Sequence, residues 1–192
     1  MRYKYNCVLI ILFVLLLFTG RLSAQTVSYT AGDQITLQVQ DYSLIDTNHA
    51  PVSLTLSTSV AGAPITSVSN ADMYVKVSSI VPGGTDREIS ARLSSGTVPA
   101  GTKLTLVAAP CTTANSGGVR GTPVATPIVL TTTDQFIVTG IASCYTGIGY
   151  NDGYRLTFTW SRDTSTDYSL IHSSSTQSTV TLILTLTAHD GN

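Results

Sequence analysis

Apolar and polar residues alternate through most of this chain. Successive strand side chains point to opposite faces, so a period of two predicts strands with one buried face. Ile35, Leu37 and Val39 alternate with Thr36, Gln38 and Gln40, and Val52, Leu54 and Leu56 with Ser53, Thr55 and Ser57. Met73, Val75 and Val77 follow, then Ile89, Ala91 and Leu93, then Leu104 and Leu106. The clearest late strands put Tyr154, Leu156, Phe158 and Trp160 on one face, and Val180, Leu182, Leu184 and Leu186 on another. Ile183 interrupts the last pattern, which predicts that part of its outer face is covered or touches a partner.

Turn signals separate these runs: Gly32-Asp33, Pro82-Gly83-Gly84, Pro99-Ala100-Gly101, Asn115-Ser116-Gly117-Gly118 and Asn151-Asp152-Gly153. Gly, Pro, Asn and Asp supply the backbone angles that tight turns need. Residues 110–127 read as the longest loop, and residues 164–178 as a second, with a short strand over 168–171. No stretch holds a helical period. The expectation is an all-β chain, an antiparallel β-sandwich of immunoglobulin-like or pilin-like type with about 8–10 strands. One-face burial favours antiparallel pairing, because parallel strands read as continuous apolar runs.

The first 24 residues break the alternation. Arg2 and Lys4 precede an unbroken apolar run over residues 7–18, and a short exit ends at Ala24. This is the order of a cleaved secretory signal peptide. The run is about a dozen residues, where a membrane span wants about 20. Residues 25–192 are then one domain, secreted to the periplasm, cell surface or beyond, with no membrane anchor of its own.

Cleavage would leave seven basic against eleven acidic side chains, with no basic cluster of the kind that grips nucleic acid. Charged residues are only 11% of the chain. Ser and Thr make up roughly 30% of residues 25–192, so hydroxyls rather than ions face solvent. Cys7 leaves with the leader. In an oxidising compartment the remaining pair, Cys111 and Cys144, is most simply one disulfide, worth roughly 3–4 kcal/mol for a loop of about 34 residues. Two buried free thiols are the alternative.

Candidate chemistry is sparse. His49, His172 and His189 are scattered, with no ligand spacing around them, so no metal and no cofactor is expected. There is no Gly-x-Ser-x-Gly elbow. Glu88 is the only glutamate, whereas glycoside hydrolysis usually needs two positioned carboxylates. Asp163 and Asp167 bracket a segment whose oxygens could meet calcium, but a solvated turn accounts for it better. Tyr145 and Tyr150 flank Thr146-Gly147-Ile148-Gly149 and are candidates to stack on a sugar ring, whereas Tyr154 belongs to the core face. Trp160 is expected in the core near the disulfide.

The leader ending Leu22-Ser23-Ala24-Gln25, the cysteine pair, the segment from Val98 to Leu106 and the alternating last strand over residues 179–187 resemble bacterial secreted subunits of the fimbrial or pilus-subunit and spore-coat-U-like kind. The chain departs from the spore-coat-U-like pattern in having no cysteine near the start of the mature protein. The resemblance implies a non-enzymatic structural or adhesive surface subunit whose partners are copies of itself or other surface subunits. It also marks residues 26–40 as the segment that would pair with another copy by strand addition, and its alternation suits an ordinary first strand of the same chain equally well. The second expectation is a monomeric carbohydrate- or protein-binding module using Tyr145 and Tyr150. A small secreted hydrolase comes third.

Overall fold

The computed structural model describes residues 32–189. The expected signal peptide and the first part of the 26–40 segment lie outside the described residues. The chain divides into two compact units, Met1–Gln38 and Val39–Asn192. Of the first unit, residues 32–38 are described, and they are exposed and form no strand.

The second unit is all-β. Its strands are β1 (Tyr42–Thr47), β2 (Val68–Ile80), β3 (Arg87–Ser95), β4 (Thr102–Ala108), β5 (Gly117–Pro123), β6 (Ile128–Val129), β7 (Gln135–Tyr145), β8 (Tyr154–Arg162) and β9 (Thr181–Ala188). They form one nine-stranded antiparallel sheet in the order β6-β4-β8-β2-β7-β3-β9, with β1 beside β2 and β5 beside β7. Strand β2 makes this arrangement by changing neighbours along its length. Residues 68–75 pair with β8, whereas Ser78 and Ser79 pair with Tyr145 and Cys144 of β7. A bulge between Asn70 and Met73 bends β2, and Asn70 and Asp72 bond to each other there.

The core follows the alternation. Val75, Val77, Ile89, Ala91, Leu93, Leu106, Ile137, Val138, Ile141, Tyr154, Leu156 and Phe158 are buried in one cluster. Asn48 extends the β1–β2 pairing by one step. Its amide donates to Asp72 O (2.8 Å), and its Oδ1 accepts from Tyr74 N (3.0 Å) and Ala50 N (3.3 Å). These bonds satisfy a buried amide.

Several elements differ from expectation. Val52, Leu54 and Leu56 alternate half-buried with exposed neighbours, and Val52 and Leu54 pack on the core, yet the run belongs to no strand. Alternation reports which way side chains face, and here packing supplies it without a ladder. Residues 35–39 likewise form no strand. The expected loop 110–127 contains β5, which pairs with β7 through Gly117 and Gly118. Residues 168–171 hold a 3₁₀ turn, Tyr168–Leu170, capped by the Asp167 carboxylate on Ser169 N at 2.8 Å. Trp160 is half-buried and donates to Thr102 Oγ1 at 2.9 Å. It sits at the far end of β8 from Tyr154, the residue that neighbours the cysteines.

The apolar face of β9 is half-buried because, among the described residues, β9 ends the sheet and pairs only with β3. Ile183 is half-buried too, opposite Arg92. At the end of β9, His189 Nδ1 lies 2.9 Å from the Glu88 carboxylate, and His189 N donates to Asp86 O.

Candidate functional site

The β7–β8 connection is held at both ends. Thr146 is fully buried. Its N–H donates to Val77 O (3.0 Å), its hydroxyl donates to the same carbonyl (3.2 Å), and Val77 N donates to Thr146 Oγ1 (2.8 Å). The Thr146 carbonyl in turn accepts from Thr113 Oγ1 at 3.1 Å. At the other end the Asp152 carboxylate accepts from Gly149 N (2.7 Å), and Asp152 N donates to Gly149 O (3.2 Å). Gly147, at φ +94°, has no room for a Cβ, which would collide with that carboxylate.

This ordered loop carries three exposed large side chains. Tyr145 is 56%, Tyr150 62% and Ile148 97% exposed. The two tyrosines are not alike. Tyr145 stands opposite Gly117, and a Cβ there would lie 2.8–2.9 Å from the phenol ring and hydroxyl. One part of Tyr145 thus covers bare backbone on β5, whereas Tyr150 has no such task. Beside the loop, Ile148 lines a groove of about 180 Å³ with Leu44, Asp46, Lys76 and Ser78. Sequence reasoning missed Ile148 and Leu44, because an apolar residue between turn glycines and one on a strand both read as ordinary.

Behind the loop lie the two cysteines. The expected disulfide is not formed: Cys111 and Cys144 are both free and buried. Cys111 Sγ instead faces Thr146 O at 3.8 Å and Thr113 Oγ1 at 3.5 Å. Burial, then the neighbouring Cys111, pushes the Cys144 thiol up to about 11, partly opposed by Arg120. Tyr154 is raised as well, by burial and then by both thiols, and its hydroxyl donates to Arg120 O. A second groove, of about 550 Å³, runs between residues 110–112 and β5, with Arg120, Thr122 and Thr139 on its walls.

The remaining candidates are turn residues. The Asp163 carboxylate accepts from Ser165 Oγ (2.7 Å) and Ser165 N (3.0 Å), and these bonds hold it below the usual carboxylate range. Asp167 is lowered in the same way by Ser169. His49 sits 3.3 Å from Asp46, exposed. Among the described residues no three His, Cys, Asp or Glu side chains are grouped to hold a metal ion. The chain matches no protein-family model, no curated protein and no solved structure.

Proposed function

We propose that this chain is an exported, non-enzymatic β-sandwich subunit, structural or adhesive, that assembles by strand addition. The observation that carries the reading is the exposure of Ile35, Leu37 and Val39, at 82, 88 and 80%. Three apolar residues at strand spacing, facing solvent on an uncharged segment, are what an added strand offers to a sheet edge. Soluble proteins rarely leave such a row uncovered. The sheet has free flanks to receive it: among the described residues, β1 pairs only with β2, and β9 only with β3. Export would carry Cys111 and Cys144, free in this structure, into an oxidising compartment, where closing them as a disulfide would tie the start of the 110–116 loop to β7.

The test is the assembly state of protein expressed with its own leader and taken from the cell envelope. A heat-sensitive oligomer on the gel, whether one dimer band or a ladder, that vanishes when residues 34–40 are deleted supports the reading. A monomer indifferent to that deletion overturns it.

A second reading, a glycan- or protein-binding module, is favoured by one observation. Tyr150 and Ile148 are presented to solvent on a loop pinned by Thr146 and Asp152. Aromatic faces held rigid cost little order on binding.

A further inference from the structure

The exposed apolar residues near the start of the described chain fall into two sets. Ile35, Leu37 and Val39 occupy odd positions, and Tyr42 and Leu44, at 46% and 63% exposure, occupy even ones. Regular alternation would send the two sets to opposite faces, so presenting both on one face takes a break in phase between Val39 and Tyr42. Asp41, at the break, is ion-paired with Arg87 of β3 at 2.5 Å. Tyr42 and Leu44 stand on β1, whose outer edge is unpaired among the described residues. Leu44 also forms one wall of the groove under Ile148, a side chain that is 97% exposed.

We propose that residues 34–40 of one copy add antiparallel to the free edge of β1 in a second copy, with Leu37 against Leu44 and Val39 against Tyr42. The proposal rests on the strand-addition reading above and names its acceptor. In this register Leu37 and Val39 each gain an apolar neighbour, Leu44 and Tyr42, and Ile35 falls opposite Asp46 at the mouth of the Ile148 groove. Residues directly opposite in an antiparallel pair share a face, which is how odd and even positions meet. No like charges are opposed, because residues 34–40 carry none. The donor segment and the acceptor strand are consecutive in one chain. A contact made by one copy is therefore made in return by the other, and the assembly closes as a two-fold dimer.

The experiment uses protein expressed from the whole chain with its leader. Leu37→Cys and Leu44→Cys are purified separately, mixed, and oxidised with glutathione disulfide. Directly opposed strand residues lie about 4.5–5.5 Å apart at Cα, within disulfide reach. The expected result is a dimer band in the mixture, absent from either variant alone and from the native protein. Light scattering should give twice the mass of one processed chain, falling to one when residues 34–40 are deleted. Assembly that needs residues 34–40 but gives no mixed band overturns β1 as acceptor and leaves strand addition standing, with β9 next to be tried. A mass above two chains in light scattering overturns the closed dimer. A monomer unaffected by the deletion overturns both.

Discussion

Thr146 and Val77 exchange three hydrogen bonds, two of them through the threonine hydroxyl. Thr146 thereby stands in for a strand partner of Val77 where β7 has ended, and it ties the exposed loop to the core strand β2. Thr146→Val keeps the shape and removes the hydroxyl, leaving Val77 N–H buried without an acceptor. That should cost about 1–3 kcal/mol in urea unfolding, while Thr146→Ser should recover most of the loss. Equal stabilities for all three proteins would show that the hydroxyl contributes nothing.

The two loop tyrosines should separate by stability. Tyr150→Ala should change stability by no more than about 0.5 kcal/mol. Tyr145→Ala uncovers Gly117 and should cost about 0.5–1 kcal/mol. If the binding-module reading holds, a glycan or protein ligand found by screening loses affinity with either change. Retained binding in the double variant would remove these rings from any site.

The cysteines give a redox result and a pH result. If the chain is exported as proposed, protein taken from the oxidising compartment, denatured and alkylated without reductant, should take up no label, and two labelled sites would exclude the disulfide. In reduced protein the Cys144 thiol is raised to about 11 by burial. Its ordinary value is 9.0, so between roughly pH 9 and 11 the unfolded chain gives up this proton and the folded chain keeps it. Folding stability in that window should therefore fall as pH rises, with Tyr154 acting in the same direction. The fall is checked by urea midpoints of reduced protein, and Cys144→Ala should make it shallower, leaving the share that buried Tyr154 contributes.

His189→Ala leaves the buried Glu88 carboxylate without its partner at 2.9 Å. A loss of about 1–3 kcal/mol is expected at pH 7, accompanied by faster amide exchange at the end of β9. Glu88→Gln in the same background should restore part of the stability. Unchanged exchange in His189→Ala would show that this contact does not hold the strand.

Much of the sheet was legible in the pattern of side chains. Val75, Val77, Ile89, Ala91, Leu93 and Leu106 are buried where alternation placed them, and so are Tyr154, Leu156 and Phe158. Hydrogen bonding was less legible, because facing and pairing are separate properties. Val52 to Leu56 has the side-chain pattern of a strand without its ladder, and β5 has a ladder despite a glycine-rich sequence that reads as a turn. Of the candidate loop, the sequence leaves Tyr145 and Tyr150 open between core and surface, and both are exposed. The Thr146 rivet was not foreseen, since one threonine among so many carries no local signal. The groove between Leu44 and Ile148 joins residues about a hundred positions apart, which no local pattern reports.

Strand β9 reads Thr-Leu-Ile-Leu-Thr-Leu-Thr-Ala, with no charge and no proline, at the end of the sheet. Natural edge strands usually carry a lysine, a proline or a bulge as a gatekeeper against stacking on copies of themselves. This one has neither charge nor proline over eight residues, its pairing with β3 is irregular only at Thr181, and its composition is that of a cross-β nucleus. The chain is therefore on a clock from the moment it is made. Until β9 is shielded, the competing reaction is intermolecular and rises with concentration, so refolding yield should drop steeply in concentrated solution. Rapid shielding of that edge, by an escort or by a partner strand, is the physical requirement it places on the cell.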